Sequence, residues 1–168
     1  YALARGITVH REDTRQVREL DIQKEEDGTV VFSTLPLGVV MTKKGIITVA
    51  LKETSVISDF KNGIIRGVDT MQKTRFLLLL MLRAANRYLF HLRQIEKASD
   101  RSEDELYKSQ RNQEIMQLLN LEKSLVYFSA SLKSSEATLE KLLRGRIIKL
   151  YDEDQELLED VIIEFKQA

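Results

Sequence analysis

The chain has 168 residues, and its 26 basic and 26 acidic side chains give a formal net charge of zero. This length is sufficient for one or two compact units with a hydrophobic core. Charge neutrality gives no support to a nucleic-acid partner, which usually needs a basic surplus or a basic face. The absence of cysteine excludes disulfide bonds and thiolate metal sites.

Residues 1–69 are predicted to contain the β-strands. Residues 16–22 alternate loosely between apolar and polar side chains, and the Glu25–Gly28 segment ends in Asp-Gly, a strong signal for a hairpin turn. A second strand is predicted over residues 30–33. These features indicate a β-hairpin close to the start of the chain.

A second hairpin is predicted further along. The segment Leu35–Gly38 contains proline and glycine and is expected to interrupt the strand pattern. Two β-branched runs follow, at residues 39–41 and 46–49, and Gly45 in the turn between them is expected to adopt a positive φ. The sequence therefore predicts an α/β (α+β) fold in which helices cover a small mixed β-sheet.

Helices dominate the remainder of the chain. A short helix is predicted over residues 55–60, followed by a connector over residues 62–67. Two long helices are predicted over residues 70–107 and 112–143, because apolar residues recur at spacings of three and four. The apolar seam of the first is Leu78, Leu82, Ala85, Leu89, Leu92 and Ile95; that of the second is Leu118, Leu121, Leu125, Phe128, Leu132, Ser135, Leu139 and Leu142. We expect the pair to form an antiparallel hairpin over residues 70–150.

A third helix is predicted to begin near Tyr151. The acidic residues of its first turn suit the positive end of a helix dipole, and the pattern is still helical at Ala168. We therefore expect the native polypeptide to continue beyond this point. The longest apolar run, Phe76–Leu82, is much shorter than the roughly 20 residues needed to span a bilayer.

Three stretches of this sequence resemble the CorA-type magnesium transporter family. They are LPLGVVMTKKGIITVALKE at residues 35–53, KTRFLLLLMLRAANRYLFHLRQIEKASDRSEDEL at residues 73–106, and most of residues 118–168. The resemblance covers residues 30–168, whereas the residues before Thr29 are too divergent to place.

The resemblance implies a homopentameric protein in the inner or plasma membrane of a bacterium, and not an enzyme. Each subunit would have a cytoplasmic α/β/α domain and a two-helix projection. Residues 151–168 would begin a stalk helix that leads to the first membrane helix. The Gly-Met-Asn pore signature of the family is absent from this chain, so the chain alone would not conduct ions.

Four carboxylates on the third helix are the predicted metal ligands: Glu153, Glu156, Asp160 and Glu164. Their offsets of 0, 3, 7 and 11 place them on one helix face, and Mg²⁺ prefers oxygen ligands. The family resemblance places an interfacial regulatory aspartate at Asp160. A bound Mg²⁺, with Co²⁺ as the second candidate ion, would offset repulsion between these carboxylates and favour a closed arrangement of subunits.

A salt bridge is the alternative role for Asp160. Relatives with a well-formed sensor carry an acidic residue midway along the first long helix, where this chain has Arg83. Arg83 could pair with Asp160 of a neighbour and make the contact insensitive to Mg²⁺. The sequence leaves both roles open for Asp160.

The sequence also suggests functions other than Mg²⁺ transport. A zinc-transporting relative of the same fold stays open, because nothing in these residues distinguishes the two ions. A free-standing helical interaction module in the cytosol would use the heptads of the second long helix to bind a partner coiled coil. Asp152 and Asp154 could serve a carboxylate-based hydrolase, but helix capping explains them without further assumption.

The isolated fragment is expected to be monomeric, since the missing membrane helices would supply much of the cohesion of the pentamer.

Overall fold

The structure is a computed structural model that describes residues 14–24, 29–42, 44–109, 112–144 and 150–168. The elements, in chain order, are β1 (Thr14–Lys24), β2 (Val30–Met41), β3 (Ile46–Ala50), α1 (Ser55–Lys61), α2 (Lys73–Ser109), α3 (Asn112–Arg144) and α4 (Asp152–Gln167). The predicted α/β class is confirmed, and the four helices begin and end within a few residues of their predicted bounds.

The three strands form one sheet in the order β1-β2-β3. Both pairings are antiparallel, with Leu20 opposite Thr34 and Val39 opposite Thr48. Within the described part of the chain, the expected mixed sheet is therefore antiparallel. The predicted Asp-Gly turn between β1 and β2 lies at residues outside those that the structure describes.

Strand β2 does not break at Pro36, so the predicted interruption over Leu35–Gly38 is wrong. The strand continues because Pro36 lies at a position where its missing N–H costs no ladder bond. The N–H groups of Val30 and Phe32 point away from β1, and by the two-residue period of a strand the nitrogen of Pro36 does so as well. Pairing with β3 begins only at Leu37, which leaves that edge open at Pro36.

The turn between β2 and β3 is closed by a threonine side chain. Thr42 Oγ1 accepts a hydrogen bond from the N–H of Gly45 over 3.1 Å, and the N–H of Thr42 donates to the carbonyl of Gly45 over 2.9 Å. Gly45 has no positive φ, contrary to the prediction. Among the described glycines, positive φ values occur at Gly63 and Gly67, in the connector after α1.

Helices α2 and α3 form the predicted antiparallel hairpin. Near its middle the rings of Tyr88 and Phe128 meet edge to face, with centroids 5.4 Å apart. Further from the interhelical turn, Leu77 of α2 shares a buried cluster with Leu142 of α3. Contacting residues of the two helices are therefore close in sequence near the turn and farther apart in sequence away from it, as an antiparallel arrangement requires.

Helix α3 packs against strand β2 as well as against α2, which the sequence did not predict. Ser124 Oγ accepts a hydrogen bond from the N–H of Phe32 over 2.9 Å, and Thr34 bonds the hydroxyl of Ser131 over 2.7 Å. These serines cover the edge of β2 that β3 leaves open. The predicted seam residue Leu125 is instead 44% exposed, and Ser124 takes the buried position beside it.

Candidate functional site

The predicted metal ligands lie on the outer face of α4. The opposite face is apolar: Leu158, Val161 and Phe165 are buried in the same cluster as Leu77 and Met81 of α2. This packing fixes the rotation of α4 about its axis, so the acidic face is presented outward. Glu153, Glu156 and Asp160 are exposed, and Glu164 is half-buried.

The acidic first turn of α4 has a structural role at one position. The carboxylate of Asp154 is buried and lies 3.9 Å from the guanidinium of Arg75 near the start of α2. Asp154 Oδ2 also accepts a weak hydrogen bond, 3.4 Å long, from the N–H of Tyr151. Asp154 therefore anchors the N-terminus of α4, whereas a hydrolase would need it to be accessible.

The four outward carboxylates have the chemistry of a magnesium site but do not form a closed site within one chain. Carboxylate oxygens are the ligands that Mg²⁺ prefers, and Glu156 and Asp160 are neighbours one helical turn apart. Throughout the described ranges, however, no three histidine or acidic side chains converge as a metal centre would require. A site on this face would therefore need ligands from water or from another chain.

An acid and two arginines form a second charged cluster, between α1 and α2. Asp59 of α1 is buried, and its Oδ2 accepts a hydrogen bond of 2.7 Å from Arg83 Nε and another of 2.7 Å from Arg87. Arg83 and Arg87 are one turn apart on α2, so both reach the same oxygen. The cluster carries one positive charge in excess.

The ionised state of Asp59 depends on these two arginines. Burial alone raises the pKa of the Asp59 carboxyl, because it disfavours the charged form. The hydrogen bonds from Arg87 and Arg83, together with their positive charges, outweigh this effect and hold the pKa below its ordinary value. Asp59 is therefore ionised at neutral pH.

Asp59 was not predicted as a partner of Arg83. Within the chain Arg83 pairs with Asp59, and the proposed pairing with Asp160 of a neighbour stays a prediction. The two arginines at a four-residue spacing were a usable signal, because such a pair on a helix that packs in a core commonly has an acidic partner. Nothing local in the sequence points to Asp59, which lies 24 positions before Arg83.

His91 is a packed core histidine on α2. Its side chain is buried, its ring centroid lies 5.8 Å from that of Phe32, and its Nδ1 is 3.0 Å from the side-chain oxygen of Gln94. His10 lies outside the described residues.

An open groove of about 830 Å³ lies between helices α2, α3 and α4. Its floor is apolar, with Leu92, Phe128 and Phe165, and its rim carries Lys133 and Glu136. The acidic face of α4 and the Asp59 cluster both lie outside this groove.

The family model of the CorA-like Mg²⁺ transporter protein matches residues 16–168 of this chain. The chain belongs to the CorA-like Mg²⁺ transporter family. The resemblance inferred from residues 35–53, 73–106 and 118–168 is thereby confirmed. No curated protein matches the chain.

Two solved structures share the fold of this CorA-like chain. The soluble domain of CorA from Methanocaldococcus jannaschii aligns with a TM-score of 0.74 and 22% identity, over 94% of this chain and 63% of that one. The complete structure of the CorA magnesium transporter from the same organism aligns with a TM-score of 0.75 and 21% identity, over 99% of this chain and 57% of that one. The chain thus spans about three-fifths of each relative.

No helix in the described part of this CorA-like chain is both long and apolar enough to cross a bilayer. The chain corresponds in fold to the soluble domain of its solved relative.

Proposed function

We propose that this chain is the cytoplasmic regulatory and assembly domain of a homopentameric Mg²⁺ transporter, and that it is not an enzyme. The observation that carries the proposal is the family match over residues 16–168. The complete transporter from M. jannaschii contains the same fold within a longer chain. In this proposal, α4 continues beyond Ala168 into a stalk and membrane helices that conduct the ion, with Co²⁺ as a second transported ion.

The regulatory part of the proposal concerns the outward face of α4. Glu153, Glu156, Asp160 and Glu164 would bind Mg²⁺ where α4 meets a neighbouring subunit. A second chain would add ligands that one chain does not gather. Because Mg²⁺ retains several waters, two or three carboxylates from the interface are enough for such a site.

The transport proposal is tested with the complete gene product that contains this chain. The product would be purified, inserted into vesicles, and assayed for Mg²⁺ uptake with a Mg²⁺-sensitive dye trapped inside. We expect uptake driven by an inward Mg²⁺ gradient. A gene product without hydrophobic segments after Ala168, or vesicles that take up no Mg²⁺, would contradict the proposal.

The same assay separates the two ion specificities that the sequence leaves open. Uptake of Zn²⁺ in preference to Mg²⁺ would favour a zinc-transporting relative of the same fold. No separate observation favours the free-standing interaction module, and the family match favours a transporter over it.

A further inference from the structure

The last turn of α1 is closed by two backbone hydrogen bonds around Asn62 and Gly63. The N–H of Gly63 donates to the carbonyl of Phe60 over 3.2 Å. The next N–H, that of Ile64, donates to the carbonyl of Asp59 over 2.9 Å. With Asn62 as the C-terminal cap and Gly63 at a φ of 66°, these bonds form a Schellman motif. The end of α1 therefore depends on the backbone of this Asn-Gly dipeptide.

An asparagine followed by glycine is chemically reactive. The backbone nitrogen of the following residue can attack the side-chain carbon Cγ, and glycine leaves this approach open because it carries no Cβ. Around Gly63 the space is open as well, since a Cβ placed there would meet no atom within 4 Å. The other asparagines of the chain precede larger residues; they are Asn86, Asn112 and Asn120. Asn62 is therefore the asparagine of this sequence most prone to cyclisation.

Asn62 is also accessible to water. Residues 61–64 are all exposed, and within the described ranges the side-chain amide of Asn62 has no hydrogen-bond partner. Asn120 provides the contrast, because its side-chain Nδ2 donates to Thr29 Oγ1 over 2.7 Å. The Asn62 side chain is thus free to turn toward its own backbone.

The folded backbone at Asn62 holds the reacting atoms apart. Ring closure requires the Gly63 nitrogen to eclipse Cβ of Asn62 about the Cα–C bond, whereas at the observed ψ of 3° it eclipses the backbone nitrogen of Asn62. Rotation about this bond carries the N–H groups of Gly63 and Ile64 away from their acceptors, so the Schellman bonds must open first. Because Ile64 is 57% exposed, this opening separates no part of the core.

We propose that Asn62 is a site of spontaneous deamidation, gated by opening of the last turn of α1. A bond forms between the Gly63 nitrogen and Cγ of Asn62, the Cγ–Nδ2 bond breaks, and ammonia leaves with the proton of the Gly63 N–H. Water then opens the cyclic imide at either carbonyl, which gives aspartate or isoaspartate at position 62. This inference does not rest on the proposed function.

Both products weaken the last turn of α1. An aspartate adds negative charge at the C-terminal end of the helix, where the helix dipole disfavours it. An isoaspartate also lengthens the main chain by one methylene group, so the following N–H groups lose their register with their acceptors. One of those acceptors is the carbonyl of Asp59, whose side chain binds Arg83 and Arg87. Deamidation therefore loosens the hold of α1 on α2 as the molecule ages.

Peptide mapping of the folded chain tests the site. The chain would be incubated in mildly alkaline buffer and cleaved with trypsin, which cuts after Lys61 and Arg66 and so isolates residues 62–66. Mass spectrometry detects the change from amide to acid, and isoaspartyl methyltransferase with a labelled methyl donor detects isoaspartate. We expect conversion at Asn62 to exceed that at the exposed Asn86 by at least about tenfold. Equal conversion at both, or none at Asn62 when the urea-unfolded chain is fully converted there, would overturn the inference.

Two matched threonine variants test the gate. Thr54 Oγ1 accepts the N–H of Ile57 at the start of α1, so Thr54→Ala destabilises this helix without altering residues 62 and 63. Thr138→Ala makes the same substitution on α3, away from α1. We expect Thr54→Ala to speed conversion at Asn62 several-fold in the folded chain and Thr138→Ala to leave it unchanged, with equal rates for all three proteins in urea. No acceleration by Thr54→Ala, or the same acceleration by both variants, would rule out the gate.

Hydrogen exchange tests the consequence for α1. The reference is Asn62→Gln, whose longer side chain does not form the cyclic imide readily and which should stay unmodified through the same incubation. In incubated wild type the amides of Gly63 and Ile64 should exchange at least about tenfold faster than in this variant. Equal exchange in a fully deamidated sample would contradict the loosening of α1.

Discussion

Arg83 donates a hydrogen bond from Nε to Oδ2 of Asp59 over 2.7 Å, and this bond joins α2 to α1. Arg87 donates to the same oxygen over 2.7 Å. A buried carboxylate thus holds two arginines in fixed positions on α2. These bonds therefore fix the packing of α1 on α2.

Replacing Asp59 by alanine should destabilise the fold. The substitution leaves two neighbouring guanidinium groups, partly desolvated, without their counter-charge. Since both arginines stay about one-quarter exposed, we expect a loss of about 2 kcal/mol in the free energy of unfolding, less than for a fully buried pair. Urea unfolding followed by circular dichroism measures it. Asp160→Ala, at an exposed carboxylate, is the control and should change stability by less than about 0.5 kcal/mol.

The contribution of Asp59 to stability should disappear in acid. Its pKa is lower in the folded chain than its ordinary value of 3.8, so the folded state binds this proton more weakly than the unfolded state. The stabilisation is complete above pH 3.8 and is lost as the pH falls through the folded pKa. Wild type should exceed Asp59→Asn in urea midpoint at pH 7, and the two midpoints should converge below that pKa. A difference that persists unchanged at pH 2 would contradict this account.

Two buried serines on α3 should respond in opposite ways to alanine. Ser124 accepts the N–H of Phe32, so Ser124→Ala leaves a buried donor without a partner and should cost about 1–3 kcal/mol. Ser135 Oγ is buried without a hydrogen-bond partner among the described residues. Ser135→Ala should therefore leave stability unchanged or raise it slightly. Thermal unfolding of both variants in one buffer compares them. A larger loss of stability for Ser135→Ala than for Ser124→Ala would contradict the hydrogen bonding assigned to these two serines.

Opposite faces of α4 should differ in their effect on stability. Val161 is fully buried against α2, and Val161→Ala should cost about 2 kcal/mol through lost burial and the cavity left behind. Ile163 is half-exposed, so Ile163→Ala should cost well under half as much in the isolated chain. The comparison uses urea unfolding at a protein concentration low enough to prevent association.

Local sequence signals predicted the helices well and the packing of the sheet poorly. Helices α2, α3 and α4 were recognisable because the three-and-four spacing of apolar residues persists over many turns. The predicted break at Pro36 failed because tolerance of proline depends on which strand edge its nitrogen faces, and that depends on where β3 ends. Ser124 was missed because its burial follows from an open strand edge some 90 residues earlier in the chain.

The candidate site was predictable in part. The outward acidic face of α4 follows from helical period alone, since Leu158, Val161 and Phe165 determine which side is buried. The partner of Arg83 was not predictable, because a contact between α1 and α2 depends on how the connector turns at Gly63 and Gly67. Ligation of Mg²⁺ by Asp160 stays a prediction, because it requires more than one chain.

In the proposed function, the acidic face of α4 makes Mg²⁺ transport responsive to Mg²⁺. The direct measurement is the initial rate of uptake into vesicles that hold the complete gene product, as Mg²⁺ on the side of this domain is raised. Wild type should slow, because bound Mg²⁺ favours the closed arrangement, whereas a variant with amides at positions 153, 156, 160 and 164 should keep its initial rate. Equal slowing of the two proteins would contradict the claim.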